Sequence, residues 1–240
     1  MLGKSNRQST VSRFSGLKAF SGICAGVTLM AGCAAGESAG STGSNPARVA
    51  AATAEAGRLR ALLLPPPQGM KVVHGPETGF FGRLEATRKG LAAVRAASAE
   101  RPECAKAAQL DATEPNVAGA PAAVVAFASD KGSITEAIVS MPTPGFPAPL
   151  PKDCTSYTAA VNGTKVTYRT RELSMPRRGD QSRAYLTTAT GGGQDVQVGT
   201  VLVRRGKAVL SLLVVGRKVK RDGLYELGRL ADERLAKLHG

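Results

Sequence analysis

The 240-residue sequence has no tryptophan, aromatic residues make up only 4% of it, and it holds two histidines, His74 and His239. So little aromatic surface excludes a stacking platform for nucleic-acid bases and a large aromatic ligand cage. One histidine sits in a Gly-Pro segment and the other is the penultimate residue. That leaves little for general base catalysis, in which histidine is the commonest base. Neither histidine lies near a cysteine at zinc spacing, and no Cys, His and carboxylate cluster at metal spacing appears along the chain. No metal and no cofactor is therefore expected. There is no Gly-x-Ser-x-Gly elbow. Gly191-Gly192-Gly193 lacks the Lys-Ser/Thr ending of a phosphate loop and reads as a hairpin turn. Beyond the N-terminal region the longest uncharged apolar run, Ala208 to Gly216, is strand-sized, short of the ~20 residues of a membrane helix. Acidic residues are scarce, 18 against 32 basic, giving a formal net charge of +14.

What is present is concentrated first at the N-terminus. Residues 1–18 carry Lys4, Arg7, Arg13 and Lys18 and no acid; residues 19–32 are apolar and uncharged; Cys33 follows, then Ala-Ala-Gly. This order is that of a bacterial signal peptide, with an apolar run within the usual ~7–15 residues. Leu29-Met30-Ala31-Gly32-Cys33 resembles a lipobox, with Met30 where leucine is commonest. Small residues admit the peptidase, and the cysteine thiol takes a diacylglycerol as a thioether, with further acyl chains such as palmitate. Cys24 is the competing position, but the branched Ile23 precedes it. Residues 1–32 are thus expected to be a lipoprotein signal peptide and Cys33 the lipidated first residue. Residues 33–46, rich in Gly, Ser and Ala, read as a flexible tether reaching roughly 20 Å, and residues 47–240 as a single domain. Loss of the four leading basic residues leaves the mature chain at about +10. Such a charge attracts polyanions. Export argues against nucleic acid and for anionic lipid headgroups or an acidic cell-wall polymer. The densest basic stretch noted is Arg169, Arg171, Arg177, Arg178 and Arg183, candidate anion contacts unless alternation along a strand simply turns them to water.

With Cys24 removed and Cys33 lipidated, Cys104 and Cys154 remain. An even pair in an exported domain reads as one disulfide; the alternatives are two free thiols or a metal site, which needs more ligands. The rest of the domain opens with two helix patterns, 46–64, stopped by Pro65-Pro66-Pro67, and 84–99. Residues 68–82 look loop-like, with a short strand at 70–74. Strand patterns then dominate: Ala122–Ser129, Ser133–Met141 (strand or short helix), Tyr157–Val161 and Thr164–Leu173 about an Asn162-Gly163 turn, Ala184–Thr190, Asp195–Val203 and Ala208–Val215. An amphipathic helix, Asp222–Leu238, closes the chain. Helices, then about six strands, then a helix define an α+β fold on an antiparallel sheet.

A leading helix ending in Leu-Leu, Cys104 before the first strand, the Cys154-Thr-Ser-Tyr157 segment, a Gly179-Asp180 turn, an Arg205-Gly206 hairpin and a final Ala/Leu helix come in a telling order. Over roughly residues 50–238 the chain resembles actinobacterial lipoproteins related to the extracellular sensor domain of mycobacterial serine/threonine kinases. The resemblance implies a sheet backed by helices with a central cleft, and a sensing role. That family often has two disulfides, whereas this chain supplies cysteines for one, and it has no kinase domain. The expected function is therefore a non-enzymatic, membrane-anchored envelope lipoprotein, on the extracytoplasmic side, whose domain binds a ligand or a protein partner. The alternative is a lipid or glycolipid carrier with an apolar cavity.

Overall fold

The computed structural model describes residues 46–238. The expected signal peptide, the tether, Cys33 and His239 lie outside the described residues. Helix α1 (Pro46–Arg60) leads into β1 (Lys71–Phe80), helix α2 (Glu85–Ala96) and a two-residue strand β2 (Ser98–Ala99). A one-turn helix α3 (Pro115–Ala118) precedes β3 (Pro121–Ser129) and β4 (Gly132–Ser140). Then come β5 (Ser156–Val161), β6 (Thr164–Leu173), β7 (Gln181–Gly191), β8 (Gln194–Arg205), β9 (Ala208–Gly216) and α4 (Arg221–Leu235). The strands form one antiparallel sheet in the order β1-β3-β4-β9-β8-β7-β6-β5-β2.

The sheet has eight full-length strands and the short β2, more than the six or so expected. The two beyond six are β4, read as strand or short helix, and β1, of which only a short strand at 70–74 is expected from sequence. Gly75-Pro76 and Gly79 give β1 the composition of a loop, yet Pro is tolerated on an edge strand, where its missing N–H breaks no ladder. Register shifts against β3, between Val72 and His74 and again between His74 and Glu77, absorb the irregularity. Ser133–Met141 resolves as strand β4. The β5–β6 turn holds Asn162 and Gly163 at φ 49° and 76°, the left-handed pair that a tight hairpin needs. The glycines after β7 likewise form the β7–β8 turn.

Each strand sends alternate residues to opposite faces. On one face Leu59 and Leu62–Leu64, from α1 and its exit, join Leu224, Ala231 and Leu235 of α4. They pack over Val125, Ile138, Leu186, Val201, Leu210 and Leu212 of the sheet. A buried side chain of this size stabilises by about 1.5–3 kcal/mol, so this layer is the main core. At Gly199 a Cβ would stand 2.8 Å from Val219, which is how closely the entry to α4 approaches β8. The opposite face carries two smaller apolar clusters, around Phe81 and Val124 and around Tyr185 and Leu202. It is covered by α2, residues 100–118 and the proline-rich 141–151. The Cys104–Cys154 disulfide, Cα–Cα 5.0 Å, pins this cover to the start of β5.

Candidate functional site: the groove beneath α2

Helix α2 is amphipathic, yet none of its residues is fully buried. Ala86 and Leu91 pack at its edge against the Phe81 and Val124 cluster, and together with Val94 they line the space left beneath it. Beneath the helix lies a groove of about 230 Å³ floored by Val124, Ala137, Ser211 and Leu213. A second, of about 350 Å³, continues past Val94, Gln109 and Leu213 to Tyr157, Tyr168, Thr187 and Thr200. Residues 106–111 form the far wall and separate both from a third, more polar recess of about 610 Å³ along the 141–151 segment. Gln109 borders all three and is steadied by donating from Nε2 to the Ala105 carbonyl at 2.8 Å.

The floor follows from strand register. Thr135, Leu213 and Thr200 stand side by side on β4, β9 and β8, and Tyr168 opposes Tyr157 across β6 and β5. The two tyrosine rings stack at 4.9 Å. Burial first, then the neighbouring Tyr168, pushes the Tyr157 hydroxyl up to about 12, so it stays neutral. Thr170 and Thr187 share a hydrogen bond of 2.8 Å. The groove thus offers aliphatic surface with a few neutral hydroxyls. Its one ion pair stands on the 106–111 wall, where Lys106 Nζ lies 3.7 Å from Asp111. His74 is not among the lining residues.

The roof is held at its N-terminal end from outside the helix. Leu84, at the cap position, has no side chain that accepts a hydrogen bond. Glu77 of β1 substitutes, accepting from the N–H groups of Glu85 at 3.3 Å and Ala86 at 3.2 Å. An anion there suits both the orphan donors and the helix dipole. Burial works to raise the Glu77 carboxyl, but His74 and these two N–H groups together bring it below the usual carboxylate range.

The five sequence-picked arginines do not come together. Arg169 and Arg171 are exposed on the face shared with Leu173, whereas Arg183, on β7, points to the other face. There it lies over the Phe146 ring at 5.1 Å and donates to the Pro147 carbonyl. Arg177 donates to the Asp180 carbonyl at 2.9 Å, and the Arg178 Nε is buried without a partner. The expectation of one anion-binding stretch is corrected by strand alternation and by these local bonds. A denser basic run lies elsewhere: Arg217, Lys218 and Lys220, between β9 and α4, and Arg221, the first residue of α4, are all exposed. None of the four forms an ion pair among the described residues. Lys131, exposed on the β3–β4 turn, adjoins them, since Gly132 pairs with Gly216. Four basic residues in five was the available signal.

Sheet order and flanking helices define an α+β domain built on one antiparallel sheet. No family model matches the chain, and no curated protein does. Among solved structures, it shares its fold with the extracellular domain of PknH from Mycobacterium tuberculosis. The TM-score is 0.50 at 14% identity, over 75% of this chain and 94% of that one. An Rv0999 ortholog from Mycobacterium smegmatis superposes at a TM-score of 0.44 with 11% identity, over 77% and 95%. No helix among the described residues is long and apolar enough to cross a membrane.

Proposed function

We propose that this protein is an extracytoplasmic lipoprotein, anchored through Cys33, whose domain recognises a ligand with an apolar body in the groove beneath α2. The observation that carries the reading is a helix with an apolar face and no buried residue, set over an aliphatic floor. Ligand sites are concave, mostly apolar and furnished with a few polar groups, commonly at ~300–1,000 Å³. The joined groove meets that description, with Thr135, Ser211 and Thr200 as the polar groups. Its lining favours recognition over turnover: it offers neutral hydroxyls without a histidine beside them. The narrower carrier reading draws support from the aliphatic floor, but the size suits one acyl chain better than a bulky glycolipid. The basic run at the start of α4 supports contact with anionic headgroups.

Gly90 provides the test. It lies on α2 against the groove, and a Cβ there would meet nothing within 4 Å. Gly90→Ala and Gly90→Leu both improve helix propensity, by about 1 kcal/mol, but only the leucine fills space. A fluorescent single-chain fatty acid is expected to bind the wild-type chain and Gly90→Ala, and at least tenfold more weakly Gly90→Leu, with both variants melting no lower than wild type. Equal binding by all three places the probe elsewhere and contradicts the reading.

A further inference from the structure

The irregular strand β1 does more than cap α2. Its two register shifts, one between Val72 and His74 and one across Gly75-Pro76 between His74 and Glu77, leave residues three apart side by side. His74 Nε2 lies 2.8 Å from Glu77 Oε2. The nitrogen is buried and the approach lacks the alignment of a hydrogen bond. Glu85, in the first turn of α2, completes the group: one donor atom from each of His74, Glu77 and Glu85 lies within 4.8 Å of the other two.

We propose that His74, Glu77 and Glu85 form a divalent-cation site, of the zinc type, that staples α2 to β1 at one end of the groove. An imidazole nitrogen and carboxylate oxygens are each zinc ligands, bound at about 2.0–2.2 Å. Tetrahedral ligation then asks for donor separations of roughly 3.3–3.6 Å, so side-chain rotation within the existing spacing suffices. A fourth position is left for water. The N-terminus of α2 opposes a cation by about half a charge, and two carboxylates outweigh it. Lys89, which now pairs with Glu85, is the competitor the ion displaces. Spacing along the chain concealed this group, because Glu85 belongs to a different element. The site stands whether or not the groove takes a ligand; with one, it would fix the roof.

Cobalt(II) reads the site directly, through the visible absorption of the bound ion. The full chain, free of any histidine tag, is titrated with Co²⁺ alone. One saturable ion is expected, released by Zn²⁺ and bound at least tenfold more weakly by His74→Ala. Glu85→Gln, at a side chain more than half exposed, leaves the fold unaltered and is expected to weaken binding as much, while Lys89→Ala strengthens it. No saturable band, or an unchanged one in both His74→Ala and Glu85→Gln, overturns the proposal. Equal fatty-acid binding across the Gly90 variants leaves this result untouched, so the two readings fail separately.

Discussion

Glu136 of β4 points into the main core and is wholly buried. Its strand neighbours on that face are Val125 and Leu212. Oε2 accepts the Leu64 N–H at 2.8 Å, while Oε1 has no partner. Arg234 of α4 bears on it only from a distance, because its own hydrogen bonds go to the carbonyls of Ala61 and Leu62. Burial therefore dominates and pushes the carboxyl up to about 7 against the pull of Leu64 and Arg234. An acid whose native pKa is raised holds its proton more tightly when folded, so stability is fully present below the unfolded value near 4.5. It is lost as pH rises through the native value. The loss is on the order of 3 kcal/mol. Glu136→Gln keeps an acceptor for Leu64 without the charge. Its stability relative to wild type is expected to increase between pH 5 and 8, by on the order of 2–3 kcal/mol in urea titrations at several pH values. A difference that stays flat across that range contradicts the assignment. Asp232 shows the opposite solution for a buried carboxylate: it accepts from Arg205 at 2.7 Å and from the Gly179 N–H at 3.3 Å, tying α4 to the β7–β8 end of the sheet.

At the scale of elements, the sequence reading succeeded where one periodicity ruled. Strands β3, β5 to β9 and α4 are legible because apolar runs end in Asn-Gly, Gly-rich or Pro-rich breaks, whereas β4 reads equally as strand or short helix. It failed where composition and position disagree. β1 reads as loop because an edge strand needs only half its ladder, and α1 ends at Arg60 rather than Leu64 because the exit turns down to Glu136. The disulfide was legible from cysteine arithmetic alone, and closing a 50-residue separation stabilises by roughly 4 kcal/mol in the chain-entropy picture. The groove was not: residues 84–99 have a sound helical pattern, and nothing in it says that the apolar face stands off the sheet. The basic segment between β9 and α4 was hidden by a wider but more scattered arginine series. If it is the membrane-facing element, each charge contributes about 1 kcal/mol near an anionic surface and weakens within a Debye length of ~8 Å at physiological salt. Changing Arg217, Lys218, Lys220 and Arg221 together to Gln is expected to cost the unlipidated chain at least tenfold in binding to anionic vesicles at low salt. An unchanged affinity, or equal binding to neutral vesicles, would remove the segment from that role.

On the scale of the whole molecule, the two faces of one sheet divide the labour. The face under α1 and α4 is packed with branched and aliphatic side chains and supplies stability. The other is loosely roofed by α2 and braced by a disulfide, and the grooves lie on it. The central claim joins three statements: the chain is cleaved before Cys33, lipidated on it, and carries a small apolar molecule in the groove. Native mass spectrometry of the protein released in mild detergent from its own membrane examines them together. The account predicts a polypeptide beginning at Cys33 with the mass of a diacylglycerol thioether and its acyl chains, and a further non-covalent mass that is absent from Gly90→Leu. An unmodified Cys33, a retained N-terminal segment, or a chain that carries no bound molecule contradicts it.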